Sequence, residues 1–212
     1  MTRLILIRHG YSCGNKEKRF SGQLDLPLDV EGYEQAALAS QYILENYPVN
    51  AIYSSDLCRA VDTVKPIADA LNLPIHTYKE LREINEGIWQ GMRQEDVKQQ
   101  FPEEYAFYKA NLGLMQFIDG ECYATMLERL MPAVEKIIAE NDGKTVVIGT
   151  HGGAIRGLLS VWLGVPLERV LDVPRVPNGT ITVVECEGKE ATVVALGYSD
   201  HLTRRTGENG AD

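Results

Sequence analysis

The sequence predicts an α/β protein: three α/β/α layers around a mostly parallel central sheet with an antiparallel edge strand. Three observations predict it. Residues 4–7 and 144–150 are short, nearly continuous apolar runs closed by glycine, the pattern of strands buried on both faces. Strand-like runs alternate with stretches of helical spacing along most of the chain. Near the end, residues 180–187 and 190–196 flank Gly188-Lys189, which reads as a hairpin and supplies the antiparallel edge.

The first strand runs into Arg8-His9-Gly10, and residues 11–28 then have the small, polar composition of a loop. Asp29 is placed to cap a helix over 31–46, whose apolar positions are Ala36, Ala37, Ala39, Ile43 and Leu44. Residues 51–54 form a second strand. A helix follows over 56–71, with Pro66 marking a kink, and then a third strand over 74–78. The charged, glycine-rich stretch 81–92 precedes a helical region, 93–112, interrupted at Pro102. A long helix over 121–141 carries Met126, Leu127, Leu130, Val134, Ile137 and Ile138 on one face. After the strand 144–150, His151-Gly152-Gly153 opens a helix reaching Leu163, and the polar tail from Arg204 is expected to fray. One domain spans 1–212, with residues 89–123 too long for a plain crossover and placed as a helical cap over the site.

A chain of 212 residues is long enough for one sizeable core. No apolar run approaches the ~20 residues that cross a bilayer, and the N-terminus lacks the pattern of a signal peptide, so a cytoplasmic location with no membrane partner is expected. Cys13, Cys58, Cys122 and Cys186 are widely spaced, which suggests neither a zinc site nor a disulfide framework, and the first three, each beside a motif residue, read as small buried fillers. A net charge of −9 argues against nucleic acid as a partner. Any anionic ligand therefore needs a local cationic pocket.

The candidate pocket lies where the two apolar strands end. Arg8 can fork onto phosphate oxygens, and His9 can attack, ligate a metal or move protons. His151 follows the other apolar strand in the same way. If both strands are central and parallel, the two imidazoles share the carboxyl rim where such sheets bind ligands. Thr150 is expected to cap the following helix and aim backbone N–H groups at an anion. His76 and His201 have no such context and are expected at the surface or an edge.

Further blocks carry a resemblance. Leu6-Ile7-Arg8-His9-Gly10 with Asn15, the loop from Ser21-Gly22 to Leu28, Gly32 with Gln35-Ala36, Ile52 to Ala60 including Arg59, Leu81-Arg82-Glu83-Ile84 with Gly87, Trp89 and Gly91, Gly120-Glu121, and Thr150-His151-Gly152-Gly153 occur in order. Together they resemble the histidine phosphatase superfamily, the phosphoglycerate-mutase-like proteins. The resemblance implies that fold, and a phosphomonoester hydrolase acting on a small molecule through a phosphohistidine, with neither metal nor cofactor. It implies His9 as nucleophile, Arg8, Arg59 and His151 as the phosphate pocket, and Glu83 as proton donor to the leaving oxygen. Asn15, Ser21, Gly22, Gly152 and Asn178 are implied as substrate contacts. Glu80 and Glu86 are rivals of Glu83 within the same acidic patch.

Two departures bear on specificity. Tyr11 stands where members of the family often carry Glu or Gln, and Glu86 stands where many carry an aromatic. A charged Glu86 facing the pocket would repel a second carboxylate on the substrate, so neutral or amine-bearing phosphomonoesters are expected to be preferred over phosphoglycerate. Mutases of the family have a longer segment between the acid and the second histidine, and only Arg93 and Lys109 offer themselves here as a cationic pair for a bisphosphate. Hydrolysis is favoured over the alternatives, a cofactor-dependent mutase or a non-catalytic sensor of phosphate ligands. Either a monomer or a homodimer is compatible with the exposed terminal hairpin.

Overall fold

The computed structural model describes residues 1–188 and 190–203. Lys189 of the expected hairpin turn and the tail from Arg204 lie outside the described residues. Six strands form one sheet in the order β3-β2-β4-β1-β5-β6. They are β1 (Thr2–Arg8), β2 (Val49–Ser55), β3 (Ile75–Tyr78), β4 (Thr145–Thr150), β5 (Ile181–Glu187) and β6 (Glu190–Tyr198). The first four run parallel. β5 is antiparallel to both β1 and β6, so the hairpin completes one side of the sheet and leaves β6 as its edge.

Alternation along the central strands divides the core in two. Leu4 and Leu6 of β1 join Val146 and Ile148 of β4 on one face. There they meet Leu130, Val134 and Ile137 of α6 (Tyr123–Glu140) and Ile155 and Leu158 of α7 (Gly152–Trp162). Ile5, Ile7 and Val147 point to the other face. They pack on Ala39 and Ile43 of α2 (Val30–Asn46) and Val64 and Ile67 of α3 (Cys58–Leu71). Each such fully buried aliphatic side chain contributes about 1.5–3 kcal/mol. Burial on both faces is why these strands read as unbroken apolar runs rather than as alternating ones.

Between the third and fourth strands, α4 (Gln94–Gln100) and α5 (Pro102–Ala110) form the helical region expected there, interrupted at Pro102. Pro102 starts the second helix, where its missing N–H costs nothing. A third apolar cluster, Phe20, Ile84, Trp89, Val97, Met115, Phe117, Tyr123, Met126 and Val170, holds this segment onto the body. α3 runs through Pro66 to Leu71. The short helices α1 (Cys13–Lys16) and α8 (Asp200–Thr203) complete the fold.

Three expectations need correction. Thr150 is not the cap of α7: its hydroxyl donates to the carbonyl of Leu81 at 2.8 Å, and His151 takes the cap position. His201 is not a surface residue but is buried, 2.9 Å from the carbonyl of Gly179 through Nε2 and stacked with Tyr42 and Tyr198. Cys13, Cys58 and Cys122 are half-buried, and only Cys186 is fully buried.

Candidate active site

β1 and β4 are hydrogen-bonded neighbours in a register that sets Arg8 opposite Thr150. One residue further on, His9 and His151 therefore meet at the same rim, with ring centroids 5.2 Å apart and planes tilted by 58°. His9 Nδ1 lies 2.8 Å from the carbonyl oxygen of Gly10, a group that only accepts. Nδ1 thus carries the proton, and the lone pair is on Nε2. Burial, reinforced by the charges of Arg59 and Arg8, holds His9 well below the ordinary value of 6.5, so the ring is neutral. His151 is depressed likewise, by burial first and then by Arg59, His9 and Arg8. Gly10 cannot be larger, because a Cβ there would stand 2.4 Å from the carbonyl oxygen of Gly32 at the start of α2.

Arg8 donates from Nη1 to the carbonyl of Val176 at 2.6 Å. Burial lowers it to about 10, which leaves it cationic at neutral pH. Arg59 comes from the first turn of α3 and is 1% exposed. Its fork donates to the carbonyls of Leu24 at 2.6 Å and Gly22 at 2.7 Å. It thereby fixes the loop carrying Ser21 and Gly22 as well as bringing charge to the site. One helical turn on, the Thr63 hydroxyl accepts from Gly10 N–H at 2.9 Å and donates to the Arg59 carbonyl at 2.7 Å. That clamp on the His9-Gly10 backbone has no signal in the sequence, where Thr63 is one ordinary helix residue.

Asn178 donates to the carbonyl of His9 at 3.0 Å and to Asn15 Oδ1 at 3.1 Å. Asn15 Oδ1 also accepts from Ser12, in a capping box that starts α1. These two side chains brace the loop that follows His9.

Glu83 receives three backbone N–H groups: Ile84 and Ala154 on Oε1, and Gly153 on Oε2. The amides at the start of α7 thus hold a carboxyl of the protein itself, not the ligand anion that the sequence suggested. Glycine at 153 is required for that approach, since a Cβ would lie 2.4 Å from Glu83 Oε1. Arg129, on α6, donates to the carbonyls of Glu80, Arg82 and Glu83 and pairs with Glu121 at 2.7 Å. Glu121 in turn accepts from Asn85 N–H at 2.9 Å. This network holds the backbones of both Glu80 and Glu83.

Glu86 lies beside Glu83. Its Oε2 is shielded from solvent and has no hydrogen-bond partner. Burial, and then the charge of Glu83, push it up to about 8, against the pull of the Gly22 N–H and Arg59. At neutral pH it is mostly protonated, so the repulsion expected of a charged Glu86 is largely absent there. The folded chain keeps this proton up to about pH 8, whereas the unfolded chain releases it near 4.5. Folded stability therefore falls as pH rises through that interval and levels off above it. Glu86→Gln is expected to raise Tm by roughly 2–8 °C at pH 9 and to change it little at pH 4, as read by thermal denaturation at the two pH values.

A cavity of about 140 Å³ opens against Arg8 and Gly152, the chain neighbours of the two histidines, neither of which lines it. Arg8, Glu83, Glu86, Gly152 and Gly153 form its polar wall, and Tyr108, Leu112, Phe117 and Tyr123 close it from the segment 108–123. Arg156 and Arg175 also line it, and neither was singled out in the sequence. Arg156 stands one turn beyond the Gly152-Gly153 pair, so helical spacing could have found it; Arg175 sits in an irregular segment that gives no such signal. Arg93 and Lys109 do not line the cavity. Among the described residues, Arg8 Nε, Arg59 Nε, Ser21 Oγ and both ring nitrogens of His151 are buried with no hydrogen-bond partner. Buried polar atoms are nearly always paired, and the unpaired donors beside His9, Arg8 Nε and Arg59 Nε with the one N–H of the neutral His151 ring, suit an anion. Among the described residues, no group of three or more His, Cys, Asp or Glu is placed to hold a metal ion.

Residues 4–199 match the family model of the histidine phosphatase superfamily, branch 1. Phosphoserine phosphatase 1 of Hydrogenobacter thermophilus is 30% identical over 202 residues, covering 95% of this chain and 95% of that protein. The metal-independent phosphoserine phosphatase of Arabidopsis thaliana is 30% identical over 206 residues, covering 96% and 84%. Among solved structures, Bacillus stearothermophilus YhfR superposes with a TM-score of 0.91 at 29% identity, covering 95% of this chain and all of that one.

Proposed function

The chain belongs to the histidine phosphatase superfamily and is a phosphomonoester hydrolase of that type, and we propose that it works on small molecules, without a metal, through a phosphohistidine on His9. The observation that carries this reading is the set of unpaired buried donors from Arg8, Arg59 and His151 beside an imidazole whose Nε2 lone pair is free.

In the first step Nε2 of His9 attacks phosphorus and the P–O ester bond breaks. Glu83 acts as the acid of this step, giving a proton to the departing oxygen. Its Oε2 accepts only one backbone N–H and is the oxygen able to carry that proton into the cavity. In the second step the Glu83 carboxylate takes a proton from water as the water oxygen attacks phosphorus. The N–P bond breaks, its electron pair returns to Nε2, and inorganic phosphate leaves. Charge spreads over the equatorial oxygens in both steps, so the two arginines and His151 act by position and field. Gly152, at the head of α7, lines the cavity.

The experiment uses two esters with and without metal chelation. Wild-type protein is expected to hydrolyse p-nitrophenyl phosphate undiminished by EDTA. Glu83→Gln should lower kcat/KM for an alkyl ester by about 10²–10⁴ but far less for p-nitrophenyl phosphate, whose leaving group needs no proton. Phosphate binding without turnover would support a sensor instead, and exchange between phosphoglycerates requiring a bisphosphate primer would support a mutase.

A further inference from the structure

Glu83 must give a proton in the first step and take one in the second, yet each hydrogen bond to its two oxygens comes from a backbone N–H, which supplies no proton. We propose that Glu83 is one half of a carboxyl pair that shares a single proton: Glu86, on the same cavity wall, holds the proton between turnovers, and Glu83 carries it to the leaving oxygen.

The backbone around the pair is pinned on both sides. Before it, Arg82 pairs with Asp56 at 2.6 Å, and Arg129 holds the carbonyls of Arg82 and Glu83. After it, Asn85 N–H donates to Glu121 at 2.9 Å, and the Asn85 side chain accepts from Gly87 N–H at 3.0 Å. Gly87 has φ +53° and packs so tightly on Ile118 that a Cβ would collide with the Ile118 carbonyl oxygen. Glu86 is therefore held against the cavity that Glu83 also lines. Its Oε2 is shielded from solvent and meets no donor. A buried carboxyl oxygen without a partner is costly, far more so when charged, so such a site favours the neutral, protonated group.

The surrounding charges favour one proton on the pair. Arg59, from α3, acts on Glu86, and Arg8, Arg156 and Arg175 line the same cavity; positive charge of this kind keeps one carboxylate ionised. Burial, and repulsion from Glu83, oppose a second charge and push Glu86 up to about 8. Tyr108 of α5 and Tyr123 of α6 are raised by burial as well, so both phenols stay neutral and neither releases a competing proton. The remaining donor towards Glu86 is Gly22 N–H, in the loop that Arg59 holds at 2.7 Å.

A cavity of about 140 Å³ has room for a bridging water. Through that water Glu86 passes its proton to Glu83 Oε2, and the leaving oxygen takes it as the P–O bond breaks; both carboxyls are then ionised. When a second water attacks phosphorus, its proton goes to Glu83 and on to Glu86. Each cycle consumes one ester and one water and returns the pair with one proton.

The shared proton rests on the phosphatase reading above, and the test separates the two. The ratio of kcat/KM for an alkyl ester to that for p-nitrophenyl phosphate isolates proton delivery, since only the alkyl leaving group needs it, and cancels general damage to the site. In wild type this ratio is expected to hold up to about pH 8 and to fall beyond it, as the pair loses its proton. Glu86→Gln keeps the shape but holds no titratable proton. Its ratio should begin to fall at least one pH unit lower and stand about tenfold or more below wild type at pH 9, with Glu86→Asp recovering most of the loss. A merely structural Glu86 would leave the pH dependence of the ratio in place. Independently of turnover, infrared spectra at pH 7 should show a protonated-carboxyl band in wild type that Glu86→Gln lacks. A ratio with the same pH dependence in Glu86→Gln as in wild type, or a band that survives the substitution, overturns the shared proton. Failure to turn over p-nitrophenyl phosphate, with the band present in wild type and lost in the variant, overturns the phosphatase reading alone.

Discussion

His9→Ala is expected to reduce turnover of every phosphomonoester by about 10³-fold or more, since removing the nucleophile of a covalent mechanism leaves only binding and electrostatics. The geometry makes the expectation specific. The ring is 5% exposed, Gly10 fixes its tautomer, and Nε2 is the only lone pair it can offer. His151 cannot substitute, because it stands across a 5.2 Å centroid gap and neither of its nitrogens is anchored in the protein. Arg8, Arg59 and His151 remain in the variant, so the Kd for inorganic phosphate, measured by calorimetry, should stay within about fivefold of wild type. Loss of turnover with phosphate affinity kept is the expected pair of results. Retained turnover would remove His9 from the chemistry.

Arg59→Met is the second large effect, and it strikes folding and catalysis together. Methionine fills much of the volume but leaves the carbonyls of Gly22 and Leu24 without their charged donor. Hydrogen bonds to charged groups contribute about 1.5–3 kcal/mol each, so losing the two is expected to cost roughly 3–6 kcal/mol, seen as a fall in the urea midpoint. The loop carrying Ser21 then loses its anchor, and the site loses one of the cations that stabilise the transition state; kcat/KM should drop by about 10²–10³. Arg59→Lys is expected to recover little, because a single ammonium cannot span two carbonyls as the fork does. A variant with wild-type stability and reduced activity would confine Arg59 to catalysis.

Much of this was legible in the chain because the relevant signals are local. The runs at 4–7 and 144–150 gave the central strands, and their shared His-Gly endings gave the two imidazoles, which parallel neighbours must bring to one rim. The blocks around Arg59 and Glu83 were found by resemblance; in isolation each is an ordinary charged residue near a helix or turn. What could not be read is what depends on long-range packing. Thr63 and Arg129 clamp the backbones beside His9 and at Glu83 from helices that the sequence places only by periodicity. Glu86 was located, but its charge was misjudged, because protonation follows from burial beside Glu83. His201 gave no sign that it would be buried against Tyr42. Arg175 entered the pocket through an irregular segment with no period to follow.

The most direct measurement is a rapid alkaline quench of the enzyme turning over a labelled phosphomonoester, since a phosphoramidate bond survives in base. The Glu83→Gln protein serves alongside wild type, because loss of the base for the second step should let the intermediate accumulate. A phosphoryl group on the peptide containing His9, formed as fast as the ester is cleaved and absent in His9→Ala, is the predicted result. Ester cleavage with no phosphoryl group retained on the protein, or with the group on another residue, would contradict a mechanism through His9.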